Sequence, residues 1–376
     1  MKAFFRAYGI FVFLFLFFSI IFGQRPGDKL IREGVDAFYN YEYQKSNEIL
    51  SKAIQEFSDH PSVQVAWVAS QWRFDESRLP IKSIYNNFER NLSRAESIYD
   101  SLLYVYPNNP EYLLYYGSAQ GLKARIHLGQ KKWLSTFYAA YNGFVTIQNA
   151  HELDSTLIDA FLPIGIVEYY AGMGNVFVRT AAELFGISPS KEEGLRKMEL
   201  TALKGEWAWM EAMSVLSYLY QFFDINYERG LKFSKIIAEK YPNNFDFQIH
   251  YTQSLLQNNM LKDARIRLIE HEKKLNYLTK NYKNRYRSYV DFLWAHLNFK
   301  ISEYDASLIY INKCIDDYSS ELDVWLANAF LMRGNIYDQK KMRYQARMSY
   351  RKCISINNQT HAVSMAKIYL DEPFKK

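Results

Sequence analysis

Small and large apolar residues recur at a fixed spacing along most of the chain. Ala95 is followed by Tyr99 after four positions, by Leu102 after three more and by Pro107 after another five. The first three positions lie on one helical face, the small residue lets a second helix approach closely, and proline ends the helix. This pattern predicts helices packed in pairs and no β-sheet.

The spacing returns, complete or in part, at five further places. The copies are Ser46/Leu50/Ala53, Gly230/Ser234/Ile237/Pro242, Ala264/Leu268, Ala306/Tyr310 and Gly334/Tyr337/Ala346/Tyr350/Cys353. Two matched helix-stop and turn signals, Tyr106-Pro107-Asn108-Asn109 and Tyr241-Pro242-Asn243-Asn244, separate them. The set resembles the tetratricopeptide repeat superfamily, whose unit is a helix–turn–helix of about 34 residues. The resemblance implies an all-α, right-handed, elongated solenoid of about five to eight hairpins, ended by a capping helix near Ala362 to Leu370.

The middle of the chain carries a second resemblance. Asp159-Ala160, Gly165 and the run Glu168 to Gly172 precede an apolar stretch and then Glu193-Gly194-Leu195. This order resembles uncharacterised bacterial secreted tetratricopeptide repeat proteins and, more distantly, the family of the fungal inclusion-body clearance protein. The bacterial branch often has Leu-Pro where this chain has Met173-Gly174. Neither relative implies catalytic residues.

The first 23 residues have the order of a secretory signal. Lys2 and Arg6 precede a run of 13 mostly apolar residues, Ile10 to Phe22, and Gly23 follows it. A membrane-spanning helix needs roughly 20 residues, so cleavage and export to the periplasm or cell envelope are favoured over an uncleaved anchor. The sequence thus divides into a signal peptide (1–23), an N-terminal repeat half (24–160), an apolar insert (161–190) and a C-terminal repeat half with the capping helix (191–376).

Composition and charge exclude several classes of protein. Hydrophobic residues make up 49% and charged residues 23%, which fits a folded chain. The net charge of +6 falls to +4 without Lys2 and Arg6, too little to argue for nucleic acid. Cys314 and Cys353 are the only cysteines, so no disulfide framework is expected. Cys353 falls on a small position of the repeat that is expected to be buried, which favours packing over pairing of the two cysteines in an oxidising compartment.

The sequence contains few residues or motifs that suggest catalysis or metal binding. No histidine has a second histidine three or four positions away, as a zinc-binding helix would need. Serine-hydrolase, phosphate-loop and Cys-x-x-Cys motifs are missing, and Gly172-Met173-Gly174 lacks the third glycine of a dinucleotide site. We therefore predict no catalytic residues, no cofactor and no metal. An enzyme with scattered catalytic residues is the least favoured alternative.

Two basic stretches are interpreted first as solvent-exposed surface. Lysines and arginines alternate with tyrosines between Lys273 and Tyr289, and Arg343, Arg347 and Arg351 follow one helical stripe. In an exported protein the first stretch could bind anionic lipid or polysaccharide, but a solvated connection between helices is favoured.

The first helix of each hairpin is expected to line a concave groove. The repeat frame places there Leu219 and the predicted partner-binding residues Phe222, Phe223, Gln253, Gln257, Asn298, Asn335, Asp338 and Gln339. Side-chain amides offer both a donor and an acceptor to a peptide backbone. The sequence therefore favours a scaffold or adaptor that binds a protein or peptide, of unknown identity, in this groove.

The apolar insert supports the alternative function. Between Leu162 and Ile187 only Glu168, Arg179 and Glu183 are charged. If the insert is buried it caps the seam between the two halves; if exposed it offers a patch for a membrane or a partner. A carrier of lipid or another apolar ligand is thus the alternative, and oligomeric state is left open.

Overall fold

The structure is a computed structural model that describes residues 25–130, 132–320 and 322–376. Within these ranges it contains eighteen α-helices, one short 3-10 turn and no β-strand. The expected all-α fold is confirmed. The predicted signal peptide lies outside the described residues.

The helices follow one another with short connections. They are α1 (Asp28–Tyr39), α2 (Tyr43–Glu56), α3 (Val63–Glu76), α4 (Ile81–Val105), α5 (Pro110–Gly129), α6 (Trp133–Leu153), α7 (Phe161–Met173), α8 (Val176–Leu184), α9 (Lys191–Lys204), α10 (Trp209–Phe222), α11 (Tyr227–Lys240), α12 (Phe245–Gln257), α13 (Leu261–Leu275), α14 (Lys280–Lys300), α15 (Tyr304–Asp316), α16 (Val324–Gln339), α17 (Arg343–Ile356) and α18 (His361–Asp371).

The helices form eight antiparallel hairpins. In seven of them neighbouring helices pair, from α1 with α2 to α16 with α17, whereas α7 pairs with α9 and leaves α8 outside the pairing. Second helices pack on the first helix of the next hairpin, and α18 packs on α16 and α17. This nearest-neighbour pattern is that of a helical-repeat solenoid. It confirms the hairpin stack that the spacing predicts, and α18 lies where the resemblance implies a terminal helix.

The repeat positions are buried where two helices of a hairpin meet. Ala95, Tyr99, Ala346, Tyr350 and Cys353 are all almost fully inaccessible. A Cβ built at Gly334 would lie 2.2 Å from the ring of Tyr350, so the small position exists to admit the large one. Both cysteines are buried free thiols.

The residues of the mid-chain resemblance have structural roles. A Cβ at Gly165 of α7 would lie 2.7 Å from the carbonyl oxygen of Gly194 in α9, so glycine lets these two helices touch. Glu168 pairs with Lys197 at 2.5 Å in the same hairpin. The Asp159 carboxylate accepts hydrogen bonds from the backbone N–H groups of Glu206 and Trp207, both at 2.9 Å, just before α10.

The apolar insert divides into a buried and an exposed part. In α7 the residues Leu162, Ile164 and Tyr169 belong to the core, as a first helix requires. In α8 the outward face is apolar, and Phe177 is 86% exposed. Phe185 contacts Phe137 of α6 with ring centroids 5.7 Å apart. We call this exposed surface the α6–α8 patch, which comprises Leu134, Phe137, Tyr138, Val176, Phe177, Leu184 and Phe185.

The first hairpin folds back and contacts the C-terminal half of the chain, so the stack is partly closed. Tyr41, in the turn after α1, donates to Asp246 of α12 at 2.5 Å and lies 3.1 Å from the hydroxyl of Tyr286 in α14. Tyr241 donates to Asp36 at 2.7 Å, and Arg32 pairs with Glu206 at 2.5 Å. The chain therefore curls until α1 covers part of its own concave face. Among the described residues, no helix is both long and apolar enough to cross a membrane.

Candidate functional site

A cavity of about 410 Å³ lies on the concave face, between the first hairpin and the C-terminal hairpins. Seven of the eight first helices, or the turns beside them, contribute to its wall. The lining residues are Phe38, Tyr39, Tyr41, Arg73, Ile166, Tyr170, Glu211, Ser214, Val215, Tyr218, Asn244, Asp246, Phe247, His250, Arg285, Tyr289, Leu322 and Trp325. The groove that the repeat frame predicts is thus present in part as a half-open pocket.

Helical periodicity explains how single helices reach the cavity. Glu211, Ser214, Val215 and Tyr218 follow one another at intervals of three, one and three residues, so they share one face of α10. The opposite face of α10 carries core residues such as Leu216. Helix α10 therefore presents one stripe to the core and another to the cavity.

The cations of the cavity already have carboxylate partners. The Arg73 guanidinium lies 2.6 Å from a carboxylate oxygen of Glu76, and the Arg285 guanidinium lies 3.7 Å from the other. Burial by itself would raise the pKa of Asp246. Arg285, Arg73 and the hydrogen bond from Tyr41 more than offset it, so the pKa lies below its ordinary value. Asp246 therefore stays ionised and helps to neutralise both guanidinium groups.

Tyr41 holds this arrangement in an unusual backbone conformation. Its φ of 62° lies in the left-handed region, where a bulky side chain is disfavoured. Asn259, Ser302 and Lys341 adopt the same conformation in the corresponding turns of later hairpins. At Tyr41 the turn aims an aromatic ring across the groove to Asp246.

Glu211 differs from the other acids of the cavity. Its carboxylate accepts from the Tyr39 hydroxyl at 3.4 Å, which is long for such a bond. In the described part of the chain no cation lies within ion-pairing distance of it. Burial raises the pKa of Glu211, and Arg73 and Tyr39 lower it only in part. Glu211 is the charged group of the cavity that the fold compensates least.

Aromatic rings make up much of the remaining wall. Eight of the eighteen lining residues are Phe, Tyr or Trp. His250 packs between the rings of Tyr218 and Trp325, at 5.8 and 5.6 Å. Burial lowers the pKa of His250 to about 4, so the ring is neutral at pH 7. The cavity therefore combines aromatic faces with a slight excess of negative charge.

The predicted partner-binding residues do not line this cavity. Gln253 is only 3% exposed, and its side-chain oxygen accepts from His296 at 3.0 Å. Gln257 donates to the Gln221 carbonyl at 3.0 Å, and Asn298 donates to the Trp294 carbonyl at 2.8 Å. The expected exposure of Gln253 is wrong, because its side chain packs against His296 of the neighbouring helix α14. A role in partner binding stays a prediction for all three amides.

The other predicted residues also make contacts within the chain. Asp338 accepts from Arg343 at 3.0 Å and from Tyr350 at 2.8 Å, and Tyr350 also donates to Asn335 at 3.0 Å. Gln339 donates to the Phe374 carbonyl at 3.3 Å. Phe222 is buried behind His250 and Trp325, while Phe223 is half-buried beside Tyr218. Partner binding by these five residues stays a prediction too.

Other parts of the molecule carry less chemistry. A second cavity of about 420 Å³ lies among α4, α5 and α6, where Lys123 and Glu96 neutralise each other at 3.0 Å. In the basic stretch from Lys273 to Tyr289, which runs from the end of α13 into α14, Tyr277 is exposed, whereas Tyr286 turns into the core. The residues that the structure describes contain no group of three or more potential metal ligands.

The cavity residues could be found from the sequence only in part. The repeat frame predicts that first helices line the groove, and this is how α10, α12 and α14 contribute. Tyr41 reaches the site only because the first hairpin folds back onto Asp246, 205 positions further along the chain, and Arg73 comes from α3 of the second hairpin. No local pattern in the sequence signals that return.

Comparison with known proteins gives fold-level similarity alone. No family model and no curated protein matches the chain. A tetratricopeptide repeat protein from Parabacteroides merdae is 13% identical with a TM-score of 0.38, over 92% of this chain and 97% of that one. Human IFIT1, in a dimer with PPP-AAAA, is 11% identical with a TM-score of 0.41, over 90% and 82%. The apo quorum sensor NprR from B. thuringiensis is 14% identical with a TM-score of 0.38, over 88% and 98%.

The fold assignment rests on the helix pairing and the buried repeat positions described above. Paired helices, close contact at the small positions, nearest-neighbour stacking and a terminal capping helix occur together along the described chain. The chain is an all-α helical-repeat protein whose hairpins resemble tetratricopeptide repeats.

Proposed function

We propose that the chain is a non-catalytic scaffold that binds a protein or peptide, and that a short segment of the partner enters the concave cavity. The observation that carries the proposal is the cavity wall itself, to which seven first helices contribute. A groove assembled from successive repeats offers many separate side chains to one extended ligand. The first hairpin narrows this groove to a pocket.

The size of the cavity limits what can enter it. Ligand pockets commonly measure about 300–1,000 Å³, and at about 410 Å³ this cavity is near the lower end. It can hold one or two side chains but no folded domain. The partner segment is therefore a chain end or a loop whose side chains insert between the first hairpin and α10 to α14.

A random peptide library selected on the purified chain tests the proposal. Ser214 faces the cavity, so Ser214→Trp should fill it and weaken the selected peptides at least tenfold while the helical circular dichroism spectrum is kept. Ser355→Trp is the matched control, because Ser355 is exposed on α17 away from the cavity. Equal peptide affinity for the parent and Ser214→Trp would remove the cavity as the binding site.

A second candidate function rests on the α6–α8 patch. Val176, Phe177 and Leu184 are all about three-quarters or more exposed, and large exposed apolar faces mark interaction surfaces. An amphipathic helix with its apolar face outward can lie in the interface of a lipid bilayer. We propose peripheral membrane contact through α8 as the runner-up, and a lipid or apolar ligand as its chemistry.

We further propose that the chain is exported to the cell envelope after cleavage near Gly23. The proposal rests on the charged, apolar and small residues of positions 1–23. N-terminal sequencing of the protein from its native cells tests it. A start near residue 24 is expected, and an intact Met1 would contradict export by cleavage.

A further inference from the structure

Charge pairing inside the concave cavity limits the chemistry of its ligand. Arg73 and Arg285 face the two oxygens of Glu76 and also the ionised Asp246. Counting these groups with Glu211 gives two positive charges and three negative charges, while His250 is neutral. An anionic ligand would have to displace Glu76 or Asp246 from the arginines, at a cost in lost ion pairs.

Glu211 is the negative charge for which the described residues form no ion pair, and Arg73 acts on it only from a longer distance. Its described contact with a polar group is the long one from Tyr39, at 3.4 Å. The Glu211 side chain is exposed on the cavity wall, so its carboxylate is accessible to a ligand. A ligand cation within about 4 Å of Glu211 would form an ion pair with it.

The aromatic rings of the cavity wall also favour a positively charged ligand. Tyr39, Tyr218 and Trp325 line the cavity together with five further Phe and Tyr rings. The face of an aromatic ring attracts cations, and desolvated contacts of this kind stabilise ammonium groups. His250 does not repel a cation, because burial keeps its ring neutral at pH 7.

From this geometry we infer that the cavity binds a positively charged group, an ammonium or guanidinium from a lysine, an arginine or a chain N-terminus, with Glu211 as its counter-ion and the surrounding aromatic rings as its cage. The inference rests on the proposed function, since it names the chemistry of the partner segment that enters the cavity. Arg73, Arg285, Glu76 and Asp246 form a neutralised wall beside it.

Binding of n-butylammonium to the purified chain tests the inference, with n-butanol and inorganic phosphate as probes without positive charge. Ligand-observed NMR at constant ionic strength should show saturable binding of butylammonium and none of the other two. Glu211→Gln should weaken butylammonium at least tenfold, equal to about 1.4 kcal/mol, whereas Glu211→Asp should retain most of the affinity. Glu228→Gln, an exposed acid in α11, is the control.

The outcomes separate this inference from the proposed function. Cavity-dependent peptides that lack basic groups and bind Glu211→Gln normally would overturn the inference and leave the peptide scaffold intact. Basic peptides that lose affinity in both Ser214→Trp and Glu211→Gln would support both. Saturable phosphate binding, or unchanged butylammonium affinity in a folded Glu211→Gln, would also overturn the inference. Melting curves of each variant establish that it is folded.

Discussion

The concave cavity and the α6–α8 patch both present aromatic side chains, but they are built in opposite ways. The cavity draws its residues from helices between α1 and α16 and neutralises most of its charges within its own wall. The patch comes from one short helix and the start of α6, and Arg179 and Glu183 are the charged residues of α8.

The difference shows which surface depends on the whole fold. Losing the first or the second hairpin would leave Asp246 without Tyr41 or Arg285 without Glu76, because these partners come from distant repeats. The patch would survive most changes elsewhere, because its exposure follows from α8 standing outside the hairpin pairing. A selective pocket therefore needs the curl of the stack, whereas the apolar patch needs only its own sequence.

Acidic pH should destabilise the region around the concave cavity more than the region around the α6–α8 patch. Burial lowers the pKa of His250 to about 4, and burial, helped by nearby cations, lowers those of His271 and His296 to about 3. In the unfolded chain these histidines take up protons from about pH 6.5 downwards, whereas in the folded chain they stay neutral in that range. The free energy of unfolding therefore falls as pH decreases below about 6.5. At pH 5.5 each histidine should cost about 1.4 kcal/mol, roughly 4 kcal/mol together.

Urea unfolding at pH 8.0 and 5.5 measures the acid effect, and hydrogen exchange locates it. Exchange should increase in α12 to α14 before it increases in α5 to α8. The double variant His271→Gln with His296→Gln should show a smaller loss between the two pH values than the parent. An equal loss would mean that these rings are protonated in the folded chain.

Removal of Asp246 should break the cavity wall and leave the patch unchanged. Asp246→Ala takes the acceptor from Tyr41 and a carboxylate from Arg73 and Arg285, and should cost roughly 2–3 kcal/mol. Asp263→Ala, an exposed acid on α13, should stay within about 0.5 kcal/mol of the parent. Chemical unfolding measures both. Similar small effects would mean that the first hairpin contributes little to stability.

The shared repeat frame can be tested in both halves of the molecule. Ala346 and Ala95 are buried small positions, so Ala346→Leu and Ala95→Leu should each overpack a hairpin and cost about 1–3 kcal/mol. Thermal melting monitored by circular dichroism measures the loss. If both variants melt like the parent, the small positions have been assigned to the wrong residues.

Substitutions in the α6–α8 patch should change the free energy of unfolding least and membrane binding most. Phe177 is almost fully exposed, so Phe177→Ser should change the free energy of unfolding by less than about 0.5 kcal/mol. Phe185 touches Phe137 and Tyr141, so Phe185→Ser should cost somewhat more. Co-sedimentation with phosphatidylcholine vesicles should fall in both. Undiminished sedimentation of both variants would exclude the patch as a membrane contact.

Much of the fold could be predicted from local sequence. The small-to-large spacing around Ala95, Ala346 and Tyr350 specifies which faces meet within a hairpin, and the Tyr-Pro-Asn-Asn signals specify where helices end. First helices contribute to the cavity wall, as the repeat frame predicts, whereas the predicted partner-binding residues lie outside the cavity and their role in binding stays a prediction. Gln253 reads as an exposed amide on the repeat frame, yet its side chain packs against His296 and is buried.

The sequence by itself determined the repeat, the helix pairing and the terminal helix, because these depend on side chains within about one repeat of each other. Only the tertiary structure decided that Tyr41 meets Asp246, that Arg73 reaches the cavity and that Glu211 remains uncompensated. The small rotation from each hairpin to the next accumulates over the stack, and this sum sets the curvature. No single repeat encodes it.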